Sequence, residues 1–298
     1  MIVNTNMQEA ICRMQYFIAQ GLIQDLNRAD VPYAVIKGCP LAYYKTGNPG
    51  TRISSDIDIL IPRQELNKVI EILKGNEFES THPLSRAERV MLVSNSHQLP
   101  SFYKKIKDLY VQIDINFDLF WGEYTGERIE VSEFLQDTVE VDIFGCKVQT
   151  LPPLKTMMQV ILHHYKEMNS IYHLTGHIAI SKRAFEDIYI LWQRYKEEMS
   201  VEKLCEISSR YAIFPYVYYI LYYTQKVYGD EALYPYLDAL KTAEGEALLE
   251  CYGLTEEERK NWKIRFEERL DADVAKLVYH DLSHEDLEKL ERSRRIFG

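Results

Sequence analysis

Two segments of the chain alternate strictly between apolar and polar residues, which is the pattern of strands with one face in a core. In Asp56-Ile57-Asp58-Ile59, the two carboxylates lie on one face and the two isoleucines on the other. Residues 111–118 repeat the pattern, setting Val111, Ile113, Ile115 and Phe117 against Gln112, Asp114, Asn116 and Asp118. Both segments therefore predict strands with one apolar and one acidic face, and Asp114 adds a third carboxylate to the first two.

A strand, a glycine and a helix start follow one another just before the first of these segments. Residues 31–36 form a short apolar run that predicts a buried strand, and Gly38 follows it closely. Pro40 suits the first turn of a helix, because the amide hydrogen that proline lacks has no partner there. The free amides and positive dipole end of such a helix are suited to binding a phosphate.

The remaining patterns divide the chain near Leu151-Pro-Pro153. Before it we predict helices over residues 8–29 and 63–75, and hairpins joining 97–104 to 109–118 and 139–143 to 147–150. The first helix is expected to bury Ile11, Met14, Phe17, Ile18, Leu22 and Leu26. After it the patterns are helical only, over 154–169, 181–197, 201–209, 213–228, 231–250 and 255–297, with a break near Leu282. We therefore expect an α+β protein, with an α/β domain over residues 1–150 and a helical domain over 151–298.

Composition narrows the classes of partner. Hydrophobic residues make up 46% of the 298 residues, which is the level of folded globular proteins. Lysine and arginine number 35 against 45 aspartates and glutamates, giving a net charge of −10 with no basic domain, so nucleic acid is disfavoured as a partner. The five cysteines are scattered, Glu9 and Arg13 interrupt any signal-peptide pattern, and no apolar run is long enough to cross a membrane. We expect a cytoplasmic protein.

The three predicted carboxylates need a counter-charge. Within ~5 Å of one another, they would repel by about 3 kcal/mol per pair at an effective dielectric of 20. Protons or a cation must therefore neutralise them, and a site made only of oxygen ligands favours Mg²⁺ or Mn²⁺ over zinc. An Asp-x-Asp alone is common in an acidic chain, but here the predicted phosphate cradle at Gly38 accompanies it.

The string VIKGCPLAYYKTGNPGTRISSDIDILI, residues 35–61, resembles the signature of the uncharacterised nucleotidyltransferase family of the DNA polymerase β-like superfamily. The resemblance implies a mixed sheet followed by an all-helical domain. It places Gly38 at the strand-to-helix glycine, Asp56 and Asp58 at the metal pair, and Asp114 at the third carboxylate. Lys37 and Arg52 match additional basic positions of the family, and Cys39 and Ser55 join the predicted nucleotide-binding residues.

This resemblance implies a reaction. Two Mg²⁺ ions, or Mn²⁺, would be held by Asp56, Asp58 and Asp114, and an NMP would pass from an NTP to an acceptor hydroxyl with release of pyrophosphate. Asp114 is also a candidate general base, while Lys37 and Arg52 would neutralise phosphate charge. The acceptor is unknown, and the acidity of the chain favours a small neutral or cationic molecule over RNA.

Two departures from the family pattern keep an alternative open. The superfamily usually has serine or glycine after its glycine, whereas this chain has Cys39 and then Pro40, which removes one amide donor. Family members often have histidine where this chain has Asn116. The alternative is therefore a non-catalytic nucleotide-binding or regulatory module with the same fold. A glycosyltransferase is disfavoured because only 55 residues precede Asp56.

Two groups of residues in the second half have weaker signals. His163, His164, His173 and His177 crowd one region, but they lack the H-E-x-x-H pattern of metalloproteases, and we expect surface or packing histidines. The aromatic residues between 211 and 236 are expected to form a buried helix rather than a base-stacking surface.

Overall fold

The structure of the protein is a computed structural model that describes residues 5–52, 54–81, 96–107 and 109–297. The chain forms two compact units. The first comprises Met1–Gly122 with Arg128–Thr156, and the second comprises Glu123–Glu127 with Met157–Gly298. The predicted α+β class is confirmed, because the first unit contains a mixed sheet and the second is almost entirely helical.

The sheet of the first unit has five strands. They are β1 (Ala34–Ile36), β2 (Asp56–Leu60), β3 (Glu79–Ser80), β4 (Phe102–Ile106) and β5 (Leu109–Asn116). Their order is β1-β2-β5-β4-β3, and β2 and β5 run parallel while the other neighbours are antiparallel. Both predicted hairpins are confirmed, the second as β6 (Val139–Ile143) and β7 (Cys146–Thr150). Phe144 and Gly145 have positive φ in its turn, which matches the twist of a two-residue hairpin.

One face of this sheet carries the core of the first unit. The helices are α1 (Thr5–Arg28), α2 (Gly38–Thr46), α3 (Leu66–Gly75) and the single turn α4 (Val131–Phe134). The core cluster joins Ile57, Ile59, Ile113 and Ile115 of β2 and β5 to the buried sides of α1 and α3. The polar faces of β2 and β5 are thereby left on the other side of the sheet.

The predicted buried face of α1 is partly wrong. Ile11 is 39% exposed and Phe17 is 76% exposed, whereas Leu22 and Leu26 are buried as expected. The buried stripe instead runs through Cys12, Tyr16, Ala19, Leu22, Ile23 and Leu26. The predicted positions also have helical spacing, but the stripe that packs on the core is centred on a different side of the helix, which includes Tyr16 and the small residues Cys12 and Ala19.

The second unit consists of helices and one small β-ladder. Helix α5 (Pro153–Asn169) begins in the first unit, and it is followed by α6 (Ile171–Thr175), α7 (Lys182–Arg194), α8 (Val201–Arg210), α9 (Phe214–Tyr228), α10 (Tyr234–Leu240), α11 (Ala243–Leu249), α12 (Phe266–Arg269), α13 (Ala275–Asp281) and α14 (His284–Phe297). The aromatic helix α9 is buried along most of its length, as predicted. No helix in the described ranges is both long and apolar enough to span a membrane.

The prediction of helices only after Leu151 is wrong between residues 250 and 265. There β8 (Cys251–Tyr252) pairs with β9 (Lys260–Asn261). Gly253 has φ of +105°, and a Cβ added there would lie 2.5 Å from the carbonyl oxygen of Glu258, so the chain turns sharply in a way that glycine permits. The predicted break near Leu282 is confirmed, because Ser283 and Asp286 cap α14 reciprocally.

Candidate active site

The parallel pairing of β2 and β5 brings the predicted carboxylates to one place. Asp58 lies directly opposite Asp114, and Asp56 lies opposite Gln112. Because side chains two residues apart on a strand share a face, Asp56, Asp58 and Asp114 all project from the face opposite the isoleucine core. The site thus follows from the alternation in both strands together with the register between them.

Asp58 is the most firmly held of the three. Its Oδ1 accepts a hydrogen bond from Lys37 Nζ at 2.9 Å and a second from Asn116 Nδ2 at 3.0 Å. The side chains of Lys37 and Asp58 are 18% and 9% exposed, so the ion pair is largely removed from water. A charge-assisted pair in such surroundings fixes both groups strongly. Lys37 therefore places a positive charge beside the carboxylates.

Asp56 and Asp114 have weaker partners. Ser54 Oγ donates to the Asp56 backbone oxygen at 2.7 Å and lies 3.2 Å from its Oδ1, and Gln112 Nε2 donates to Asp114 Oδ1 at 3.1 Å. Burial, aided by the charges of Asp58 and Asp114, raises the pKa of Asp56 to about 6 against the opposing effects of Lys37 and Ser54. Burial also raises the pKa of Asp114, with the Asp58 charge adding to it. Neighbouring carboxylate charges thus disfavour ionisation of Asp56 and Asp114.

The turn between β1 and α2 adopts an unusual backbone conformation. Lys37 has φ of 56° and ψ of −143°, a region that residues other than glycine rarely adopt. Gly38 follows with φ of +34°, and a Cβ on it would lie 3.0 Å from Ser54 Oγ. The turn is therefore packed against Ser54, two residues before the Asp-x-Asp strand. This close approach requires glycine at position 38.

The start of α2 offers few amides to a ligand. Pro40 has no amide hydrogen, and the Leu41 amide donates to the Lys37 carbonyl at 2.9 Å. Gly38 and Cys39 are therefore the residues of the first turn whose amides are available for the predicted phosphate role. The Cys39 thiol itself is buried among the core residues, where Cys12 and Tyr16 also lie.

The other predicted binding residues lie in the loop between α2 and β2. Arg52 follows the 3₁₀ turn Pro49–Thr51, and its carbonyl oxygen accepts a bond from the Cys12 thiol at 3.6 Å, which ties the loop to α1. Ser55 is exposed in the bend immediately before β2. Three contacts were not foreseen from the sequence, namely those of Ser54, Gln112 and Asn116 with the carboxylates. The alternation of β5 places Gln112 and Asn116 on the correct face, but no pattern indicates Ser54.

The donors at this site fit a hard divalent cation. Three carboxylates on one face of two paired strands provide the oxygen ligands that Mg²⁺ and Mn²⁺ prefer. In the described part of the chain, the three carboxylates are not all drawn to within 4.8 Å of one another, a spacing reached by His163, His164 and Glu167. Lys37 instead neutralises Asp58. Asp58 and Asp114 face each other across neighbouring strands, so their side chains project from the same face of the sheet.

Comparison with known proteins agrees with this geometry. Residues 4–229 match the sequence profile of the uncharacterised nucleotidyltransferases. The chain belongs to this family. The residues matched include the whole site and run to the end of α9, so this nucleotidyltransferase shares with its family more than the Asp-x-Asp segment. The resemblance seen in residues 35–61 is thereby confirmed.

Solved structures similar to this nucleotidyltransferase are more distant. A crystal structure of an antigenic nucleotidyltransferase-like protein from Paracoccidioides brasiliensis shares 17% identity over 60% of this chain and 75% of its own, with a TM-score of 0.36. The solution structure of the antibiotic-resistance factor ANT(2'')-Ia shares 17% identity over 67% and 95%, with a TM-score of 0.39. The crystal structure of ANT(2'')-Ia in complex with adenylyl-2''-tobramycin shares 16% over 64% and 92%, with a TM-score of 0.37. A search of curated proteins gave no match.

Proposed function

We propose that this nucleotidyltransferase moves an NMP from an NTP to an acceptor hydroxyl and releases pyrophosphate. The observation that carries the proposal is the register of β2 and β5, which sets Asp58 opposite Asp114 with Asp56 on the same face, next to Lys37. A cluster in which burial and the neighbouring carboxylate charges raise the pKa of Asp56 is unfavourable by itself. Its position beside a cation and a helix start suits an anionic substrate bound with metal ions.

In this proposal, Asp56, Asp58 and Asp114 hold Mg²⁺ ions, two by analogy with the family, or Mn²⁺. When bound, such ions neutralise phosphate oxygens and stabilise the attacking and leaving oxygens. The protein's own groups do the rest. Lys37 Nζ, fixed on Asp58, and Arg52 balance charge on the phosphates, and the amides of Gly38 and Cys39 with the exposed Ser55 line the phosphate site.

The chemical step follows from these roles. The acceptor oxygen attacks the α-phosphorus, forming a new P–O bond as the bond to pyrophosphate breaks. The hydroxyl proton passes to the Asp114 carboxylate, whose raised pKa favours proton uptake. We propose that residues 1–150 carry this chemistry and that residues 151–298 form an accessory domain. The net charge of −10 favours a small neutral or cationic acceptor over nucleic acid.

One observation favours a second candidate function, a nucleotide-binding or regulatory module without turnover. The ion pair between Lys37 and Asp58 neutralises one member of the Asp-x-Asp pair, and Pro40 removes an amide from the phosphate cradle. Such a module would bind NTP and metal but release no pyrophosphate.

The experiment that separates the two uses NTPs labelled at the α-phosphate, ATP first, with Mg²⁺ or Mn²⁺. Candidate acceptors are amino sugars, other sugars, RNA and the protein itself. We expect label transfer and pyrophosphate release by the wild type, loss of both in Asp58→Asn, and no loss in Asp238→Asn, which replaces an exposed aspartate of the second unit. Equal turnover by wild type and Asp58→Asn would refute the assignment, and NTP binding without pyrophosphate release would favour the second function.

A further inference from the structure

A second cluster of ionisable side chains lies in the second unit, built on α5 and α7. Glu167 Oε1 is 3.3 Å from His163 Nε2, and Glu167 Oε2 is 3.6 Å from His164 Nδ1. One carboxylate therefore lies between two imidazoles. On the far side of His164, its Nε2 is 3.6 Å from Asp187 Oδ2 of α7. All four residues belong to the same unit, and none takes part in the proposed transfer reaction.

These distances are long for hydrogen bonds, which for N–H···O cluster at roughly 2.7–3.2 Å. They match another geometry. In a tetrahedral zinc shell with bonds of about 2.0–2.1 Å, neighbouring ligand atoms are separated by about 3.4 Å. The two contacts of Glu167, at 3.3 and 3.6 Å, have nearly this separation. Within the described residues, one donor atom from each of His163, His164 and Glu167 also lies within 4.8 Å of the other two.

His164 supplies an independent observation. Its side chain is only 8% exposed, and both ring nitrogens are buried without a hydrogen-bond partner. A buried polar atom left without a partner costs free energy, so an additional ligand at this position would relieve the cost. Asp187, with no exposed surface, is aimed at Nε2. A carboxylate behind a metal-bound histidine is the usual support for such a ligand.

We propose that His163, His164 and Glu167 bind a first-row divalent transition metal, with Zn²⁺ as the best match. A Glu167 carboxylate oxygen and His163 Nε2 are the ligands on the exposed side. His164 Nδ1 is the third protein ligand, and its Nε2–H is directed at Asp187. Two imidazoles select zinc-type ions over Mg²⁺, which separates this site chemically from the three aspartates. The side chains of His163 and Glu167 are 20% and 33% exposed, which leaves room for a water ligand. Asp187 is a positioning residue that joins α7 to the site.

A proton is the competing occupant. The carboxylates of Asp187 and Glu167 outweigh the effect of burial and raise the pKa of His164. An imidazolium held between two carboxylates would also account for the contacts, but it would bind no metal. The experiment must therefore detect the metal directly.

The test is a titration of the chelator-treated full chain with Zn²⁺ in excess Mg²⁺, combined with Co²⁺ as a spectroscopic probe. We expect a single tight Zn²⁺ equivalent and the intense visible bands of four-coordinate Co²⁺. Glu167→Gln should lose more affinity than Asp187→Asn, for which the loss should be about 10- to 100-fold. The matched control is His284→Gln, which removes an exposed histidine that also has a glutamate four residues on, Glu288, at 3.4 Å. It should bind Zn²⁺ like the wild type.

Several outcomes would overturn the site. Zn²⁺ affinity that is the same in wild type and Glu167→Gln refutes it, as does a Co²⁺ spectrum of the wild type that stays octahedral. The Co²⁺ measurement needs no variant, so it decides even if Glu167→Gln fails to fold. Zn²⁺ binding that survives Glu167→Gln but is lost in Asp58→Asn would assign the ion to the aspartates. Activity plays no part in the readout, so failure here leaves the proposed transfer reaction untouched.

Discussion

Replacing Asp56 with asparagine should stabilise the metal-free protein while it abolishes activity. Burial and the neighbouring carboxylates raise the pKa of Asp56 to about 6 from its ordinary value of 3.8. Between these pH values the folded state binds more protons than the unfolded state, so stability is fully present below the unfolded pKa and is lost as pH rises through about 6. At neutral pH the ionised Asp56 carboxylate therefore destabilises the folded state, and asparagine, which is uncharged, does not.

The size of this cost can be worked out. At ~1.4 kcal/mol for each power of ten in the ionisation constant, the interval from 3.8 to about 6 amounts to about 3 kcal/mol at pH 8. Asp56 keeps part of its surface in water, so we expect a gain of ~1–2 kcal/mol for Asp56→Asn near pH 8, and about half of that near pH 5. Asparagine retains an oxygen at the position of Oδ1 that Ser54 contacts.

The assay is denaturant unfolding with EDTA at both pH values, with Asp238→Asn as the control. Added Mg²⁺ should stabilise the wild type more than Asp56→Asn, since a ligand that binds the folded state adds free energy by mass action. The difference in stability between Asp56→Asn and the wild type should therefore shrink or change sign when Mg²⁺ is added. If Asp56→Asn is less stable than the wild type in EDTA near pH 8, or if the difference does not change with pH, the site does not penalise the ionised form of Asp56 as argued.

Four further predictions concern the same fold. Asp58→Asn should destabilise the metal-free protein by ~1–3 kcal/mol, because the Lys37 ammonium loses its largely buried partner, and unfolding in EDTA measures this. Lys37→Gly should be more stable than Lys37→Met by about 1 kcal/mol, since both remove the charge but only glycine relieves the positive φ; equal stability would refute the strain. Gly38→Ala should lower both stability and label transfer, whereas Gly145→Ala, at φ of +84° with nothing within 4 Å of its Cβ, should lower stability only. Burial lowers the pKa of His173 to about 4, so unfolding takes up a proton below about pH 6.5. The free energy of unfolding therefore falls as pH drops from 6.5 toward 4, and His173→Gln should reduce this loss by up to ~2 kcal/mol.

Alternation predicts the local part of this site, and the family resemblance adds Asp114 and Lys37, but the contacts between the distant residues are not predicted. Alternation places Asp56 and Asp58 on one face because the period of a strand is two, whatever else the chain does. The parallel pairing of β2 with β5 depends on the topology, which the alternation alone does not specify. The bond from Lys37 to Asp58 joins residues 21 positions apart through the turn at Gly38, and it follows only once the strands are in place.

The same limit explains the errors elsewhere. The prediction for α1 followed apolar residues at three- and four-residue steps, yet Phe17 is exposed because the buried stripe runs through Cys12, Tyr16 and Ala19. Residues 255–265 have a helix-like composition, but the turn at Gly253 and the pairing of β8 with β9 override that local preference. Boundaries set by a local stop signal, such as the one near Leu282, are predicted well because the capping groups are adjacent in sequence.

Strand β2 combines opposite effects in alternate residues. Ile57 and Ile59 are buried and stabilise the first unit, while Asp56 is held in a site that penalises its ionised form. A slip of one residue in register would exchange the two sets, so the apolar core that fixes the register also forces the carboxylates together. The strained backbone of Lys37 adds a second cost at the same place. Two independent costs, concentrated in the same few residues and supported by a well-packed core behind them, are expected of a binding site rather than of a structural strand.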